Sequence, residues 1–365
     1  VNQANTDLTQ SNITAPRRAN SSSLRKRSSL LFQTRLCVLI TLFTLVTSPS
    51  IAAGYDIWIY PLQLNKQTAS WLLGAPKQVS NRDGYDNQPA FSADSQSLVF
   101  ASDRGAEHND IFRYYLDKNA ATQIKQLTFT PDESEYSPQP LTYKLSGKES
   151  SATADGIRYI VEQGVPHQSV WQQEANKPRA RAINSMIPTG YYAHHPEFGT
   201  LLWARYAYSL YFEASSLSDE SISGADERHF VVANAGRSIH VIPNDKAFSY
   251  LHKQQDGDRV IKRFDPLSGS HTPLISVDNG SEDYAWSNNG WIFNIDKNHL
   301  RAWPSASASA SASASASASA SAKSKADNPW QAVATLPQPS EQHVHASRIA
   351  ISPDLQHIAI VWSRK

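Results

Sequence analysis

Four stretches carry side chains able to hold a metal or move a proton: Glu133-Ser134-Glu135, His194-His195, Ser281-Glu282-Asp283, and His343 with His345. Metal-assisted chemistry needs several such ligands to converge, and no stretch supplies them alone. Adjacent residues on a strand point to opposite faces, so His194 and His195 cannot both serve one site from extended backbone. His343 and His345 are spaced to share a strand face, yet in a polar run they read first as solvated loop residues. The two carboxylate-rich stretches lack the spacing of a calcium loop and read as polar loop edges. No Gly-x-Ser-x-Gly elbow, phosphate loop or zinc-protease helix occurs. Any chemistry must therefore be assembled from segments distant in sequence.

The element that could assemble them is clearest between Tyr85 and Thr130. There Gln88-Pro89-Ala90-Phe91-Ser92-Ala93-Asp94 leads into Leu98-Val99-Phe100-Ala101, turns through Ser102-Asp103-Arg104-Gly105, continues as Asp110-Ile111-Phe112-Arg113-Tyr114-Tyr115, and closes with Gln123 to Thr128. Short apolar or aromatic runs separated by turn residues predict a four-stranded antiparallel meander, one blade of a β-propeller. Pro-x-Phe-Ser-x-Asp, Leu-Val-Phe, Ser-Asp-Arg-Gly, Ile-Phe-Arg-Tyr and Gln-Leu-Thr, in that order, resemble the WD-like repeat of TolB-like six-bladed propellers. The family's turn usually has Gly after the Asp, where this chain has Ser95 and Leu355. Gly relieves the strain of positive φ, so another turn type is expected at both places.

Further blades are predicted from Ser134 to Ile187, Gly190 to Val232, Ser238 to Ile275 and Tyr284 to Ala334. The polar stretch Ser215 to Asp226 is expected to be a loop. A sixth blade is split: Arg348–Asp354 and His357–Trp362 supply its first two strands, and Tyr55–Tyr60 and Ala69–Leu73 its outer ones. Pairing the two ends closes the ring and removes two exposed sheet edges. The expected fold is thus an all-β, six-bladed propeller over 54–365, its last blade closed by N-terminal strands. Nine Ser-Ala dipeptides at 305–322 interrupt the fifth blade. They offer little to bury, and a disordered loop is expected.

Segments leading into the innermost strands of a propeller meet at one mouth of its channel. Asp86, Glu135, Tyr136, Tyr192, His194, Arg237, Glu282, Asp283, His345 and Arg348 are accordingly the candidate ligand-binding residues, in a concavity of the kind that ligands favour. No catalytic residue is assigned. No cofactor is required, although a divalent metal is compatible with the residue types present.

Residues 1–53 hold six Lys or Arg and one Asp, out of 34 and 33 in the chain, so the remainder carries 28 basic and 32 acidic residues. A mildly acidic body without a basic stripe argues against a nucleic-acid partner. Basic residues up to Arg35, the apolar run Leu36–Val46 and Ser50-Ile51-Ala52 have the order of a secretory signal peptide, and the run is shorter than the ~20 residues a membrane span needs. The only cysteine, Cys37, lies within it. Removal would leave no stable membrane span and no thiol, in the periplasm or outside the cell. The resemblance implies a binding or protein-interaction module of the cell envelope, taking a partner protein, peptide or glycan at the channel mouth. The alternative is an enzyme, a metal-assisted lyase or hydrolase acting on polysaccharide or peptide in the channel, with His194 and Glu135 as ligands.

Overall fold

Ser92 and Asp94 show how the repeat folds locally. The Ser92 hydroxyl donates to Asp94 Oδ1 at 2.6 Å, and the amides of Gln96 and Ser97 close back on Asp94 Oδ1 and Ser92 Oγ, both at 3.0 Å. Ser352 and Asp354 repeat the arrangement at 2.5 Å, with His357 N donating to Ser352 Oγ at 2.9 Å. These bonds hold Ser95 and Leu355 at φ +63°, the left-handed region a glycine would occupy. The expected change of turn type therefore does not occur. The side-chain bonds on both flanks over-determine the turn and offset the strain of a Cβ there. The two turns also touch, Asp354 N donating to Ser95 Oγ at 3.0 Å.

The computed structural model describes residues 54–365 except 69, 105, 120–121, 142, 146–147, 151–155, 165–166, 216–227, 279–281 and 306–328. The expected leader at 1–53, most of the loop 215–226 and all but Ser305 of the Ser-Ala tract lie outside the described residues. Every named element is a β-strand, and no described helix is long and apolar enough to cross a membrane. Five blades are continuous four-stranded antiparallel meanders whose innermost strands are Asp86–Phe91, Ser134–Pro140, Thr189–His195, Ala235–Val241 and Tyr284–Trp286. A small hairpin, Tyr143–Leu145 with Lys148–Ser150, is inserted in the second blade.

The sixth blade is composite, as the sequence predicts. Innermost His343–Ile351 pairs with His357–Arg364, which pairs with Tyr55–Asn65 from Tyr55↔Ser363 to Pro61↔His357. Two short strands, Ser70–Leu73 and Lys77–Gln78, cover the outside of Tyr55–Asn65. A buried clasp fastens the join. Asp56 Oδ2 lies 3.0 Å from His343 Nε2 and accepts from Arg364 Nη1 at 2.8 Å, while Arg82 N donates to its Oδ1 at 3.1 Å.

Apolar residues are shared out by strand alternation, so that a core lies between each pair of neighbouring blades. Along His357–Arg364, Ile358, Ile360 and Trp362 pack toward the fifth blade, whereas Ala359 and Val361 pack toward the first. Leu98 and Phe100 face the sixth blade, and Val99 and Ala101 the second. Middle strands buried on both faces read as unbroken apolar runs, the signal that made these blades visible in the sequence. The innermost strands are different. One edge of each has no neighbouring strand and faces the channel.

Candidate functional site

Bulges decide which side chains reach the channel. A bulge adds a residue to one strand and re-aims the side chains around it. The register slips between Asn87 and Ala90, between Tyr136 and Gln139, between Thr189 and Tyr191, between Ala235 and Ile239, and between Ser347 and Ile349 on the innermost strands. Three residues at these irregularities, Gln88 (φ +57°), Ser137 (φ +50°) and Arg348 (φ +45°), hold left-handed backbone without being glycine. Such strain marks positions where direction matters more than local ease. All three line a central cavity of about 440 Å³ that takes residues from all six innermost strands or the turns beside them.

One residue from each blade forms a belt in this region. Tyr85, Tyr136 and Tyr191 come from the first three blades; Arg237, Asp283 and Arg348 come from the last three. Tyr85 packs edge-on against Tyr136 with ring centroids 6.2 Å apart. Arg237 grips Asp283 through Nε at 3.1 Å and Nη2 at 2.7 Å. Arg348 approaches the same carboxylate only to 3.8 Å, through Nε. Its Nη2 instead donates to the Tyr191 hydroxyl at 2.6 Å, and its guanidinium lies 4.9 Å from the Tyr191 ring centre. The third and sixth blades stand opposite each other in a ring of six, so this contact is a bar across the channel. From Tyr191, edge-on contacts run through Trp203 at 5.3 Å to Tyr208 at 5.5 Å, a residue 58% exposed.

Burial alone would raise the Asp283 carboxyl, but Arg348, Arg237 and the hydrogen bonds they make hold it below the ordinary range. Burial would equally lower Arg237, and Asp283 more than reverses this. Two histidines share the cavity. Burial, with Arg158 and His195 assisting, pushes His194 down to about 3; burial pushes His240 down to about 4. Both imidazoles are neutral near pH 7. His194 Nδ1 lies 2.8 Å from Thr200 Oγ1, and the His240 ring packs 4.7 Å from that of Tyr284. Trp286 completes the wall, its indole N–H donating to Ser249 Oγ at 2.8 Å.

Of the residues the sequence nominates, Tyr192, His194, Arg237, Asp283 and Arg348 line this cavity. Tyr192 does so beside its neighbour, however. Its side chain packs in the core between the second and third blades, and Tyr191 makes the bond across the channel. Asp86 is fully buried, 3.5 Å from Arg82 and 3.4 Å from Arg104. Glu135 is buried between the first and second blades, bonded by Thr128 and by Thr130 at 3.2 Å, with Arg179 at 3.8 Å. Glu282 pairs with Lys253 and, at 3.7 Å, with Arg259. His345 is exposed on the innermost strand of the composite blade. Tyr136 is in the belt through Tyr85. His194 and Glu135 therefore do not share the cavity, and no group of three or more His, Cys, Asp or Glu positioned to hold a metal is found among the described residues. Gln88, Ser137, Tyr191, His240 and Trp286 were not nominated. Gln88 and Ser137 each stand directly before a proline on an innermost strand, the one signal that could have found them.

No protein-family profile matches the chain, and no curated protein matches it. Solved structures do. A protein assigned as TolB from Agrobacterium tumefaciens superposes with TM-score 0.55 at 9% identity, over 86% of this chain and 99% of that one. TolB from Acinetobacter baumannii gives 0.46 at 12% identity, over 68% of this chain and 61% of that one. An oligogalacturonate lyase from Vibrio parahaemolyticus gives 0.46 at 10%, over 86% of this chain and 98% of that one. At these identities the likeness is one of fold. The chain has a six-bladed β-propeller fold similar to that of the Agrobacterium protein.

Proposed function

We propose that residues 54–365 form a binding module of the cell envelope, periplasmic or secreted, which takes a peptide, a glycan or a segment of a partner protein in the channel cavity. The observation that carries this reading is Asp283 set between Arg237 and Arg348 on a concave wall built from all six blades. Charged groups fixed in a partly desolvated cavity orient a ligand through charge-assisted hydrogen bonds. The bare strand edges around them add backbone donors and acceptors.

The test is titration of the protein with a panel of short peptides and oligosaccharides, followed through histidine ring signals in NMR. Expected shifts fall on His194 and His240 and spare His252 and His271 of the fourth blade, which do not line the cavity. Arg237→Ala should remove them while the chain stays folded. Shifts confined to His252 and His271 would defeat the reading. A second reading, a metal-assisted lyase or hydrolase acting on polysaccharide or peptide, draws support from His194 and His240, since a histidine must be neutral to ligate. It requires stoichiometric divalent metal that is lost on His194→Ala.

A further inference from the structure

We propose that the cavity is a receptor for a single carboxylate, with Arg348 as its anchor and the Tyr191 hydroxyl as an internal placeholder that the ligand displaces. This deepens the binding-module reading and rests on it.

The charges lining the cavity do not balance. Its wall carries two guanidiniums, Arg237 and Arg348, against one carboxylate, Asp283, and its two imidazoles are neutral. Asp283 commits both oxygens to Arg237 at 3.1 and 2.7 Å, which leaves Arg348 with only a 3.8 Å approach through Nε. The outer edge of Arg348 is spent on a phenol. Its Nη2 bonds the Tyr191 hydroxyl at 2.6 Å, a neutral acceptor where a guanidinium edge matches a two-oxygen anion far better. A ligand carboxylate would accept from that edge in place of the phenol, which would be released to water.

Two further groups stand on the adjoining blades. Ser137 Oγ is buried without a hydrogen-bond partner among the described residues. Gln88 uses its Oε1 to accept from Ser137 N at 2.7 Å, and its amide nitrogen makes no hydrogen bond among the described residues. Ser137, Gln88 and Arg348 are the three left-handed bulge residues on neighbouring blades, so the strained backbone and the unspent donors coincide. An unpaired buried hydroxyl is costly, and a ligand oxygen would repair it. The single excess positive charge selects a monoanion. A phosphate dianion would leave net negative charge in a partly desolvated site beside Asp283.

The experiment measures affinity for two pairs of probes that differ only in charge: N-acetyl-Ala-Ala against its amide, and glucuronate against glucuronamide. The carboxylate form of at least one pair is expected to bind about tenfold or more tighter than its amide, and the preferred pair identifies a peptide or a sugar source. Tyr191→Phe should tighten carboxylate binding several-fold by removing the competitor, which a merely structural tyrosine would not do. Ser137→Ala, which breaks no internal side-chain bond and removes an unpaired buried hydroxyl, should weaken it with the melting temperature unchanged or raised. Arg348→Gln should reduce the acid to the affinity of the amide. Acid and amide binding alike, with shifts at His194 and His240, would keep the binding module and overturn the carboxylate inference. Tighter binding of inorganic phosphate than of either acid, weaker binding by Tyr191→Phe, or no binding of any probe at millimolar concentration would each overturn it as well.

Discussion

Burial drives the Glu135 carboxyl up to about 7 from 4.5, assisted by Asp110 and opposed by Thr128, Thr130 and Arg179. The folded protein therefore holds a proton that the unfolded chain has released. Between those pH values the native state binds more protons, so the stability from this group is fully present below 4.5 and is lost as pH rises through about 7. His194 and His240 act in the other direction, since their folded-state values are depressed and they cost stability as pH falls below 6.5. Comparison with Glu135→Gln isolates the one group. Wild type should lose on the order of 3 kcal/mol relative to the variant between about pH 4 and pH 8, read from urea melts. A difference independent of pH would show that Glu135 is ionised when folded.

At the scale of the element, the closing strand is the test of the ring. Tyr55–Asn65 covers one edge of His357–Arg364, whose Ile358, Ile360 and Trp362 are all 0% exposed. Removing Tyr55 to Leu73 opens that edge and the core beside the fifth blade together. Aggregation or loss of cooperative unfolding is expected. A truncated chain that melts normally would contradict ring closure by this strand. The strands themselves were legible because Leu98–Ala101 and Ile358–Trp362 are buried on both faces and bounded by Ser-x-Asp turns. The facing of the innermost strands was not. A bulge shifts the period-two alternation by one residue, so that Tyr191 rather than Tyr192 bonds across the channel. Nor did residue type reveal the left-handed backbone at Gln88, Ser137 and Leu355, because surrounding hydrogen bonds impose it.

For the molecule as a whole, the fold supplies a ring with a cavity, and the proposed export supplies its compartment. Sequencing the N-terminus of the secreted protein should begin near Ala53 or Gly54. A mature chain that retains Leu36 to Val46 would overturn the proposed cleavage. The clasp of the composite blade bears on how such a chain is made. Trp362 Nε1 donates to Tyr60 OH across 302 residues, and Arg364 reaches Asp56 across 308. Contacts so distant in sequence form late, because loop closure must be paid for before they return anything. On a ribosome, Tyr55–Asn65 emerges well before His357–Arg364 and waits for it. Until His357–Arg364 is synthesised, Tyr55–Asn65 has no inner neighbour and the ring cannot lock. A nascent chain held open in this way stays threadable until His357–Arg364 emerges, and it becomes resistant to unfolding only once that strand is free to pair.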